Sequence, residues 1–94
     1  MSAKKERANE LLERLRRAVE SVDDQFDRLS LGTINDCISD LLSLRLIMGR
    51  CPDIDLALGH FKAMTSLRAN KQYEGNRAKD AIRGLAMTVH DMPD

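Results

Sequence analysis

The sequence predicts an all-α protein: a small four-helix domain with a long N-terminal amphipathic helix, expected to self-associate. Three observations lead there. Apolar residues recur at three and four along most of the chain, the spacing of one helix face. The β-branched and aromatic residues that favour strands are scarce and never alternate with polar ones. The core must also be aliphatic, because the 94 residues include one Tyr, two Phe and no Trp beside five Met. Unbranched aliphatics and Ala lose little rotamer freedom in helices. A chain of this length forms one domain, residues 1–94, with a thin core.

The first helix is expected over residues 4–29. Ala8, Leu11, Leu12, Leu15, Ala18, Val19, Val22, Phe26 and Leu29 form its apolar stripe. Acid-before-base pairs four apart (Glu10 with Arg14, Glu13 with Arg17, Asp24 with Arg28) support the solvated side. Unbroken, this helix would be roughly 39 Å long, against about 32 Å for the diameter of the globule it belongs to. Either it kinks near Ser21, where Ser and the Asp23-Asp24 pair favour a cap, or its end projects. The projecting alternative leaves Leu11, Leu12 and Leu15 to pair with a second copy.

Gly32 reads as a helix stop and Thr33 as the N-cap of a second helix over 34–48. Its first half is polar on one side. Its second half (Leu41, Leu42, Leu44, Leu46, Ile47, Met48) is apolar nearly all round, with Arg45 the lone charge. Leu46 therefore joins the candidate self-association residues. Pro52 or Asp53 opens a third helix over 53–72, with Ile54, Ala57, Leu58, Phe61, Met64 and Leu67 as its core stripe. The pattern breaks at Gly75. A fourth helix over 77–89 buries Ala78, Ala81, Ile82, Leu85, Ala86 and Val89.

Charge is balanced overall, 15 basic against 15 acidic residues, so no global field steers the protein toward nucleic acid or an anionic membrane. Locally it is not. Residues 1–17 carry six basic and three acidic side chains, 18–58 three and eight, and 59–89 six and two. The two basic flanks are expected to fold back over the acidic middle.

No apolar run approaches the ~20 residues that cross a bilayer, and the charged start beginning at Lys4 does not resemble a signal peptide. Cys37 and Cys51 on one helix would stand about 21 Å apart, far beyond disulfide reach. Two unpaired thiols and a cytoplasmic location follow as expectations.

No catalytic site, metal site or cofactor is expected. His60 and His90 lack a second ligand at helical spacing. The residues around Lys62 are out of step with the pattern that follows a phosphotransfer histidine. Cys37 beside Asp36 has the wrong electrostatics for a nucleophile. Asp23, Asp24, Asp27, Asp36 and Asp40 lack the spacing and glycine of a calcium loop. A helix-turn-helix is excluded by the acidic start Asp53-Ile54-Asp55, where base edges and phosphates would lie.

One stretch stands out, from Lys71 to Arg83. Gly75 permits a turn, Tyr73 offers a stacking surface, and basic residues near a helix start can hold an anion. Arg68, Lys71, Tyr73, Arg77, Lys79 and Arg83 form the candidate partner- or anion-binding set. The expected function is that of a small non-enzymatic regulatory, adaptor or inhibitor protein. It would be homodimeric and bind another protein through helical and charged surfaces. The alternative is a nucleic-acid-binding protein using the basic face of helices 3 and 4.

Overall fold

A computed structural model describes residues 2–93. Within them lie four α-helices and one 3-10 turn: α1 (Ala3–Glu20), the turn Phe26–Arg28, α2 (Leu31–Met48), α3 (Pro52–Met64) and α4 (Lys71–His90). Helix covers 78% of the described residues, and no strand is present among them.

The first helix is shorter than its apolar stripe suggests. α1 ends at Glu20, and Ser21 Oγ donates to the Ala18 carbonyl at 2.6 Å. Asp23 (φ 49°) and Asp24 (φ 62°) then take the left-handed conformation and reverse the chain. Asp is among the few non-glycine residues that tolerate this region. Of the two outcomes left open for an over-long helix, the break near Ser21 is realised, and α1 spans about 27 Å.

That break overturns a site assignment. Leu11, Leu12 and Leu15 are 1%, 6% and 0% exposed, inside the single core. They are not available to a second copy. Fully burying a Leu is worth about 1.5–3 kcal/mol to the fold, and these three stabilise the domain itself.

Three further boundaries differ from expectation. Gly32 is not a stop: Ser30 caps α2, its Oγ accepting from the Thr33 backbone N–H at 3.1 Å, so the helix starts three residues before 34. α3 ends at Met64 rather than 72, and Leu67 in the following turn is fully exposed instead of in the core. α4 starts at Lys71 rather than 77, with the Asn70 side chain accepting from the Tyr73 N–H at 3.0 Å. Gly75 thus lies inside a helix. Pro52 opens α3 as expected, after Gly49 (φ 73°) closes α2.

Each helix packs on its neighbours in a ring, α1 on α2, α2 on α3, α3 on α4 and α4 on α1. The ring encloses an aliphatic core in which Phe26 and Phe61 are the largest fully buried side chains. The α1–α2 connector is held by the first turns of α4. Gln72 brackets it, Nε2 donating to the Asp24 carbonyl at 2.7 Å and Oε1 accepting from the Phe26 N–H at 3.1 Å. Of the expected pairs four apart, Glu13 with Arg17 forms at 3.4 Å, whereas Arg14 turns to Asp40 at 3.3 Å and Asp24 to Lys79.

Among the described residues no helix is long and apolar enough to cross a membrane.

Candidate functional site

The basic set singled out from sequence is not one site. Lys71 is turned to the connector, its Nζ donating to the carbonyls of Leu29 at 2.7 Å and Asp27 at 3.2 Å. Lys79 pairs with Asp24. These two cations satisfy groups of the fold, which lowers their availability to an outside anion. Tyr73 and Arg77 lie on the other side of α4, the guanidinium 5.4 Å from the ring centroid in a cation–π contact. Arg77 there borders a shallow hollow with Asp53, Leu56, His60 and Asp80, two of them acidic. Arg68 is exposed in the α3–α4 turn. Arg83 is exposed on the α1 side of α4, 3.9 Å from Asp80.

His60, half-buried as its helical position suggests, makes a 2.6 Å hydrogen bond from Nδ1 to Glu74. That contact ties α3 to α4. No cluster of three or more potential metal ligands occurs among the described residues.

Cys37 is enclosed by the core at α2, and burial pushes its thiol up to about 12, with the negative charges of Asp40 and Asp36 adding to the effect. A thiol so placed stays protonated near neutral pH and packs in the core. Asp40, the buried carboxyl in the fold, is also held above its ordinary value, by burial first, with Arg14 opposing and Asp36 reinforcing.

Two surfaces remain. The first is the outer face of α2. Leu31, Leu42 and Leu46 are 58%, 37% and 89% exposed, and half-buried Ile38 lies between them. On a 100° helical wheel these four fall within one quadrant, which the exposed Asn35 shares, pointing away from the core stripe Ile34, Cys37, Leu41 and Leu44. The neighbouring charge, Arg45, is drawn toward α3 by Asp55 at 3.7 Å.

The second is a groove between α1 and α4. The two helices run antiparallel: Lys5 Nζ reaches the His90 and Met92 carbonyls at 3.0 and 2.9 Å, while Asp24 meets Lys79 beyond the far end of α1. Two adjoining hollows of 330 and 480 Å³ line this seam, and both are walled by Arg16 and Ala86. Leu12, Val19 and Ile82 form the apolar floor, and Met87, 71% exposed, stands on the rim.

Sequence reasoning missed this groove because its residues come from opposite ends of the chain. Each half reads as an ordinary amphipathic stripe. The available signal was the charge of the flanks. The two basic flanks lie beside one another along this seam, in addition to packing on the helices between them.

No protein-family model, curated protein or solved structure matches this chain.

Proposed function

We infer that this protein is a small, non-enzymatic regulatory or adaptor protein that works by protein–protein binding, as a homodimer joined through the outer face of α2. The observation that carries this reading is the exposed Leu31–Leu42–Leu46 stripe. A two-fold dimer sets each patch against its own copy, so an interface must be compatible with itself. A mainly apolar stripe whose one polar member, Asn35, is uncharged is compatible; a basic groove is not, because like charges would face each other. The unpaired thiols Cys37 and Cys51 favour a reducing, cytoplasmic setting. The nucleic-acid alternative loses support from the internal use of Lys71 and Lys79.

Light scattering after gel filtration tests the dimer. The wild type should elute as a dimer at micromolar concentration, and a Leu42→Lys/Leu46→Glu variant as a folded monomer. A monomeric wild type at ~100-fold higher concentration would overturn the α2 interface. Affinity capture from the native host, with and without nuclease, tests the class of partner. Recovery of the same proteins after nuclease treatment supports protein binding, whereas loss of all captured material on nuclease treatment would move the function to nucleic acid.

A further inference from the structure

We propose that the α1/α4 groove receives an acidic amphipathic helix of a partner protein. This deepens the reading of the chain as a protein-binding module and is independent of the α2 dimer.

Shape is the first argument. Along α1 the groove extends from Lys5 to Glu20, a distance of about 22 Å at the helical rise. That length accommodates some four turns of a third helix lying between α1 and α4. Helix-in-groove recognition needs an apolar floor for side chains spaced at three, four and seven. Half-buried Ala86 and the exposed Met87 offer that apolar contact, above Leu12, Val19 and Ile82, which at 6%, 4% and 4% exposed belong to the core beneath, and the small Ala86 at the junction of the two hollows lets a backbone approach. Met87 on the rim adds an unbranched, polarisable side chain that adapts to the shape of an incoming residue.

Charge decides the chemistry of the occupant. Arg16 rises from the α1 wall and Arg83 from the α4 wall, so a guanidinium flanks the floor on each side. Arg16 takes part in no ion pair among the described residues. Among the described residues Arg83 pairs with Asp80 alone, 3.9 Å away on its own helix. The acidic residues lining the seam, Glu20 and Asp91, sit toward its opposite ends. A guanidinium presents a fork of donors that matches a carboxylate, so the middle of the groove selects Asp and Glu flanking an apolar stripe. Nucleic acid is a poor match here, because the floor is aliphatic and Tyr73, the one Tyr in the chain, is not among the lining residues. A second copy is a poor match as well, since the exposed stripe of α2 carries no acidic flank.

The test is fluorescence anisotropy of labelled peptides against the full chain. One designed 16-residue helical peptide carries Leu at three- and four-residue spacing flanked by Glu. A second has Lys in place of each Glu, and a third is a scramble of the first. The Glu peptide should bind saturably, at least about tenfold tighter than the other two. Arg16→Glu/Arg83→Glu should remove that preference while circular dichroism reports an unchanged fold, both side chains being exposed. Leu46→Glu should leave peptide binding intact, which separates this site from the α2 face. Equal affinity for the three peptides, or a Glu-peptide affinity unmoved by the double reversal, would overturn the groove. Binding of a 16-nucleotide single strand with no binding of the Glu peptide would also overturn it, in favour of nucleic acid. Failure of the peptide arm leaves protein capture from the native host as the separate measure of the broader reading.

Discussion

The ring of Phe26 occupies the space that a side chain at Gly75 would need. A Cβ built on Gly75 would lie 2.5 Å from both Cβ and Cδ1 of Phe26, far inside contact distance. Helix α4 carries a glycine in its second turn so that the connector between α1 and α2 can set its aromatic anchor directly on the α4 backbone. Gln72, one turn earlier, fixes the same segment by hydrogen bonds to the Phe26 N–H and to the Asp24 carbonyl just before it.

Gly75→Ala should therefore reverse the usual sign. In an open helix this change gains about 1 kcal/mol from propensity. Here overpacking should outweigh it and leave a net loss on the order of 1–2 kcal/mol, given that forced insertions cost ~1–3 kcal/mol. In a Phe26→Ala background the same change should become neutral or stabilising. Urea denaturation of the four proteins measures the coupling, and additive costs would mean that the two residues do not meet.

Leu15 and Leu46, both apolar helix residues, should respond oppositely to a charge. Leu15 is completely buried, so Leu15→Glu strands a carboxylate in the core and should unfold the domain. Leu46 is 89% exposed, so Leu46→Glu should shift the melting temperature little while shifting the scattering mass to that of a monomer. A folded Leu15→Glu protein would contradict the core described above.

Asp40 sets a pH dependence. Its folded-state value is raised, chiefly by burial, so the folded chain holds this proton more tightly than the unfolded chain. The stability tied to that proton is present in acid and lost as pH rises through the folded value. Asp40→Asn should thus gain stability relative to wild type at pH 7, and the gain should shrink toward pH 3–4. Chemical denaturation at both pH values checks this; a gain that grows in acid would reverse the assignment.

Cys37 should be inert until the fold opens. With its thiol raised from 9.0 to about 12, the unfolded chain ionises first as the solution becomes alkaline. Stability should fall across that window, and less so in Cys37→Ala. At pH 8 an alkylating reagent should label native protein at the rate of unfolding, and label both thiols at once in denaturant without prior reduction. Rapid labelling of the native Cys37 would show that α2 does not enclose it.

The helix count and most of the core were legible in the sequence, because burial at helical spacing is a local pattern. Ile54, Ala57, Leu58, Phe61 and Met64 lie in the core as their spacing requires. The ends of the elements were less legible. Gly32 and Gly75 both carry the signal of a break, yet both are helical. The reason at Gly75 is a contact with a residue on a distant connector, which no local pattern records. Lys71 and Lys79 looked like free positive charge for a similar reason: their partners, the Leu29 carbonyl and Asp24, are supplied by the fold. Leu67 continued the spacing of α3 beyond the point where the helix ends, and so looked buried. The seam between α1 and α4 could not be read at all without knowing which helices are neighbours.

The Lys5 bond to the His90 and Met92 carbonyls closes a loop of almost the whole chain, 85 and 87 residues in separation. Such a closure is entropically the most expensive contact to form and yields no gain until the intervening segments are ordered. α3 and α4, by contrast, meet across a short turn. Assembly should begin with that hairpin and finish when α1 swings in against α4, so unfolding retraces the last step first. Native-state hydrogen exchange should find the α1 amides protected less than those of α3 and α4, with partial opening as their route to solvent. The element that forms one wall of the groove would then be held less firmly than the α3–α4 hairpin, and an occupant bridging α1 and α4 would slow exchange in α1 above all.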